Sequence, residues 1–220
     1  MTMRRRTLVI AGSVAAALAL LGTLAIVGLS ERNSPASRPP LATPTATAAE
    51  SACGLPGTAG DEATGAIEST WTDVAGWALP TSATDGPGVR TEKGPWSCYT
   101  RTPSGAVLAA YVIAMRGGGL ADDWKLVIQE QTMPGPGRDV LLGSVPNFSN
   151  VTTPRVFAVA AYSPDRSTIR YGLSVNGGDY ACTINVQWSD DDWRLVLGDD
   201  GSTSSGCTRG LPDEFTHWGP

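Results

Sequence analysis

Residues 106–115, AVLAAYVIAM, are an unbroken apolar block in which only Tyr111 carries a side-chain polar atom. As a helix, ten residues rise about 15 Å, half of a ~30 Å bilayer core, so the block is too short to span a membrane. It is also too apolar to leave any face in water. Ahead of it, Thr102 has the chemistry of an N-cap, and Pro103 suits the first helical position, where its missing N–H and fixed φ cost nothing. Arg116 and the triplet Gly117, Gly118 and Gly119 close the run. The spacing predicts a helix buried on most of its faces, with the rest of the domain wrapped around it. Ser104 and Gly105 then belong to its first turn, and no G-x-S-x-G nucleophile pattern surrounds them.

A second helix is predicted over residues 120–132, LADDWKLVIQEQT, with Trp124, Val127, Ile128 and Gln131 on one face. The segment MPGPGRD breaks it, and residues 139–147 allow one short helical turn. After Pro154 the period changes from 3.6 to 2. RVFAVAAYS is apolar throughout, as in a strand covered on both faces. In STIRYGLSV, Ile169, Tyr171, Leu173 and Val175 alternate with polar or small residues. NGGD is a hairpin turn, and Tyr180, Cys182, Ile184, Val186 and Trp188 share one face of the next strand. SDDD leads into WRLVLG. Two helices followed by a four-stranded antiparallel meander give an α+β layer.

The N-terminus sets the address. Arg4, Arg5 and Arg6 precede an uncharged run over residues 7–30, long enough at roughly 36 Å to cross a bilayer. A cleaved signal peptide begins in the same way, but its apolar region is shorter and ends in a small-x-small site, for which AIVGLS is a poor match. Residues 1–6 are therefore expected as a cytoplasmic tail, 7–30 as a transmembrane helix, 31–52 as a disordered Pro/Ala/Thr linker, and 53–220 as an extracytoplasmic α+β domain. Cys53, Cys98, Cys182 and Cys207 all follow the span, and none forms a C-x-x-C pair, which points to two disulfides in an oxidising compartment. Four cysteines allow three pairings. Cys53 and Cys98 bracket the irregular Gly- and Pro-rich stretch 53–99, and Cys207 follows a turn that can bring it beside the strand of Cys182, so the pattern favours Cys53–Cys98 and Cys182–Cys207. Trp71, Trp77 and Trp96 in that stretch read as a strap pinned to the core, with a carbohydrate platform as the alternative.

Beyond the arginine cluster, 13 Lys and Arg stand against 21 Asp and Glu, a net charge of −8, so nucleic acid is not an expected partner. His217, the one histidine, lies in the tail FTHWGP, outside any visible catalytic constellation. Asp190, Asp191 and Asp192, with Asp199 and Asp200, lack the spacing of a calcium loop and read as solvated turns. The glycine clusters match no phosphate-binding fingerprint. The sequons at Asn147 and Asn150 carry little weight. No catalytic residue, metal ligand or cofactor is assigned, and the reading is non-enzymatic.

Helices first and a meander afterwards, over roughly residues 102–200, resemble the NTF2-like (cystatin-like) superfold. That resemblance implies helices packed on a four-stranded sheet. RTPSGAVLAAYVIA, VQWSDDDWRLVL and FTHWGP are similar to segments of uncharacterised actinobacterial membrane-anchored proteins, often encoded near conjugation-type transfer genes. The implied function is a single-pass envelope protein that binds other envelope proteins as an accessory of a conjugation or secretion apparatus. The alternative is a small-ligand module with a pocket between helices and sheet. Alkaline phosphatase fused after Pro220 should be active in cells; an inactive fusion together with an active cytoplasmic reporter would reverse the orientation.

Overall fold

Before the central helix the chain builds two small antiparallel pairs, β1 (Thr70–Val74) with β2 (Trp77–Thr81) and β3 (Val89–Arg90) with β4 (Trp96–Ser97). Helix α1 (Pro103–Met115) follows. Thr102 is extended at φ −133°, and its hydroxyl accepts the Gly105 N–H at 3.0 Å, so cap and first turn form as expected. Residues 106–113 are at most 3 % exposed, so the helix has no wet face. It does not simply stop at the glycines. It widens into one π-helical turn, Arg116–Leu120, in which the Ala121 N–H reaches the Arg116 carbonyl at 3.2 Å. Gly119, at φ 117°, then turns the chain in a conformation that side-chain-bearing residues rarely adopt.

This computed structural model describes residues 53–56, 65–145, 153–175 and 177–220. The expected tail, span and linker over residues 1–52, the two sequons and Asn176 of the hairpin turn lie outside the described residues. Among the described residues no helix is long and apolar enough to cross a membrane.

Helix α2 (Trp124–Gln131) starts four residues later than expected, because the π turn and an extended Ala121 use up residues 116–121. Val127, Ile128 and Gln131 are buried as the periodicity required, while Trp124 is half-buried. Where one turn was expected, α3 (Pro136–Gly143) forms.

The four expected strands are present as β5 (Val156–Ser163), β6 (Arg166–Val175), β7 (Gly178–Ser189) and β8 (Asp192–Val196), all antiparallel, with Ile169 opposite Ile184 and Val186 opposite Leu195. The expected four-stranded NTF2-like arrangement is nevertheless wrong. The main sheet has six strands, in the order β10-β5-β6-β7-β8 with β9 also on β7, and the described domain is mostly sheet. The two further strands, β9 (Gly206–Arg209) and β10 (Thr216–His217), come from the tail and are too short to show alternation in sequence. β9 pairs with β7, placing Cys207 opposite Cys182, and β10 pairs with Val156 and Phe157 of β5.

Between β9 and β10 the chain crosses the outer face of β6. Gly172 permits the crossing: a Cβ there would lie 2.9 Å from Leu211 Cδ2 and 2.3 Å from Val156 Cγ2. Arg170 holds the strap through Glu214 Oε1 at 2.8 Å and the Phe215 ring, 5.5 Å to its centroid. Only the start of β5 is covered on both faces: Val156, Phe157 and Ala158 are buried, whereas Ala160 and Ala161, beyond a bulge, are exposed.

Both disulfides form in the favoured pairing, Cys53–Cys98 with Cα atoms 5.7 Å apart and Cys182–Cys207 with 4.1 Å. Replacing Val112 or Ile113 by Asp should cost about 3–5 kcal/mol or abolish folding, while Ser104→Ala should stay within about 1 kcal/mol. Urea titration of the three variants measures the contrast, and near-equal midpoints would refute the buried helix.

Candidate functional site

Three separated segments meet in an open cleft of about 770 Å³: Ile67 to Trp71 before and within β1, Thr153 to Arg155 before β5, and His217 to Pro220. Its organising residue is Trp218, 5 % exposed. The Trp218 ring lies 4.9 Å from Trp71, 5.6 Å from Phe157 and 6.0 Å from Tyr111, in the tilted or edge-on geometries that aromatic pairs favour. The indole N–H donates to Ser69 Oγ at 2.9 Å, and the Trp218 backbone N–H to the Arg155 carbonyl at 2.8 Å. Ser69 in turn donates to the Ile67 carbonyl at 3.3 Å, so its hydroxyl serves the fold at both ends. Arg155, on the rim, donates to Ser174 Oγ at 2.7 Å and Asp179 Oδ1 at 3.2 Å. Half-buried Trp71 and exposed His217 face this cleft. The arrangement offers an aromatic floor and a polar rim, which is binding chemistry.

A second cleft, of about 550 Å³, opens between the end of α2 and the β7–β8 turn, beside Cys53–Cys98. Asp192 stands in its wall. Its carboxylate accepts the backbone N–H groups of Cys98 at 2.7 Å, Tyr99 at 3.1 Å and Trp193 at 2.9 Å. Burial pushes this carboxyl above its usual range, and the three N–H groups oppose that rise. Asp192 is thus a staple between residues 98–99 and β8, which corrects its reading as part of a solvated turn. Asp190 and Asp191 do form the exposed turn expected of them. Asp199 and Asp200 lie beyond the far end of β8. Hydrogen bonds from the Ser202 side chain and backbone hold Asp200 below the usual carboxylate range.

Among the described residues no group of three or more His, Cys, Asp or Glu side chains could hold a metal ion. His217 is placed in β10 opposite Val156. Trp96 is buried, and Trp71 and Trp77 pack against the core as a strap would, but on strands the periodicity did not reveal. Arg116, read only as a helix terminator, is 1 % exposed. Its guanidinium donates to the carbonyls of Gly94 (2.6 and 2.9 Å), Glu92 (3.1 Å) and Thr91 (3.2 Å), and lies 4.8 Å from the Trp96 ring centroid. Trp218 went unnoticed because nothing in FTHWGP marks it as the partner of Ser69.

A family model described as a domain of unknown function (DUF8175) matches residues 33–216. No curated protein and no solved structure matches the chain. Replacing Asp192 by Ala, which strands three part-buried backbone N–H groups, should cost about 2–3 kcal/mol. Asp191→Ala should stay within about 0.5 kcal/mol. Equal losses in thermal unfolding would remove the distinction between staple and turn.

Proposed function

The chain belongs to the DUF8175 family, and we propose that it is a single-pass, membrane-anchored protein whose outer domain docks another envelope protein, as an assembly accessory of a conjugation or secretion apparatus. The observation that carries this reading is the pair of disulfides closing a domain that follows an arginine-led apolar run. Disulfides persist outside the reducing cytosol, and a basic cluster before such a run is retained inside. A spacer of Pro, Ala, Thr and Ser holds such a domain off the bilayer, where it can meet a partner.

The tail cleft is the docking surface in this reading. Its floor is aromatic and its hydroxyl is engaged in the fold, so binding energy comes from apolar burial and shape, with Arg155 and His217 on the rim setting the register of the partner. The similarity of RTPSGAVLAAYVIA and FTHWGP to segments of proteins encoded near transfer genes supports the choice of apparatus.

A photo-crosslinking amino acid at His217, in the full chain in its own membranes, should give one discrete adduct with an envelope protein identifiable by mass spectrometry. The same probe at Lys125, on exposed α2 surface, should not. Equal adducts at both positions, or none at His217, would refute the docking reading.

A further inference from the structure

The tail is tied to the main sheet at two unlike points. Its far end is held by packing, with Trp218 buried among Trp71, Phe157 and Tyr111. Its near end is β9, which pairs with Tyr180, Ala181, Cys182 and Thr183 of β7 and has no buried residue. Four exposed residues on a sheet edge open easily, because their hydrogen bonds face water and no apolar burial resists the opening. What fixes β9 is the Cys182–Cys207 bond, which joins residues directly opposite one another in the ladder.

The two cysteines of that bond differ in access. Cys207 is exposed, whereas Cys182 is 9 % exposed and shares the core-side face of β7 with Ile184 and Val186. Arg209, two residues along β9 and so on the same face as Cys207, is exposed and places positive charge beside it. The other disulfide has the opposite surroundings. Cys53 and Cys98 are half-buried in the wall of the second cleft, together with Glu130, Asp190, Asp191 and Asp192. The attacking species in thiol–disulfide exchange is a thiolate, which those carboxylates repel and Arg209 attracts. Access and charge therefore select the same bond, Cys182–Cys207, and the same atom of it, Cys207 Sγ.

We propose that Cys182–Cys207 is a thiol-operated latch on the tail: a protein dithiol of the C-x-x-C type reduces it, frees β9 and the strap, and so lets Trp218 leave the tail cleft. One thiolate of this carrier attacks Cys207 Sγ, forms a mixed disulfide and expels Cys182 as a thiolate, which takes up a proton. The carrier's second thiol loses its proton, attacks the mixed disulfide and expels Cys207, which is protonated in turn. The carrier ends as a disulfide, and two electrons and two protons have passed to the protein. The strap is then left with the Arg170–Glu214 ion pair, the two-residue pairing of β10 with β5 and the packing of Trp218. The latch regulates the cleft named above and rests on the docking reading only for its effect on a partner; the opening itself is measured without one.

The test treats the full chain in detergent with dithiothreitol, and separately with a C-x-x-C carrier whose second cysteine is replaced by serine, then alkylates free thiols and maps them by mass spectrometry. Cys182 and Cys207 should become alkylated about tenfold faster than Cys53 and Cys98, and the serine carrier should be trapped on Cys207. In the singly reduced protein and in C182S/C207S, amide hydrogen exchange over residues 206–218 should quicken about tenfold, while α1 and β6 keep their protection. Reduction of Cys53–Cys98 first or at the same rate, trapping on Cys182 or on neither cysteine, or unchanged exchange over 206–218 would each overturn the proposal. So would loss of protection across α1 in C182S/C207S, which makes the bond a staple of the whole domain. If the tail opens as expected while the adduct at His217 is the same in oxidised and reduced protein, the latch stands and the docking reading fails.

Discussion

Helix α1 has no polar face, and that constraint organises the domain. A helix that is apolar all round is stable in water only if something covers every side. The main sheet supplies β5, β6, β7 and β8, and β2 and β4 also pack against it. Alanines at 106, 109 and 110 let neighbouring backbone approach closely, while Leu108, Val112 and Ile113 fill the space between. Tyr171 of β6 locks the two layers, donating its hydroxyl proton to the Val107 carbonyl at 2.6 Å. Burial raises this phenol far above its ordinary pKa, so it stays a donor at any physiological pH.

Two ionisable side chains, buried Arg116 and half-buried Asp192, hold the covering pieces in place. Arg116, at the carbonyl end of α1, binds the 91–94 loop entirely through backbone oxygens and stacks on Trp96. Loss of water lowers its pKa, yet a guanidinium starts so high that the charge persists. Asp192 does the opposite job, gathering backbone N–H groups from residues 98 and 99. Between them these side chains fasten both ends of the 91–99 segment, which has little secondary structure of its own.

Elements encoded by local chemistry were legible: the Thr102–Pro103 cap, the apolar block, the alternating strands and both cysteine pairs. Elements made by distant partners were not. The β1–β2 hairpin turns on Ala75 and Gly76, both at positive φ, a weaker signal than the Asn-Gly or Asp-Gly expected of such a turn. β9 and β10 show no alternation, and their omission led to the four-stranded NTF2-like reading. Asp192 looks like its two neighbours in sequence and differs only because residues 98 and 99 arrive beside it. The tail cleft draws on residues near 67, 153 and 217, so no window of sequence could display it.

The strap over β6 also bears on the order of folding. Trp218 reaches back across 149 residues to Ser69, while Cys207, at the other end of the strap, is bonded to β7. Contacts of such long sequence separation form late, because the loop entropy must be met before the contact returns anything. The aromatic cluster therefore cannot close until the last strand arrives. The strap is thus a clasp that can close only over a sheet already in place.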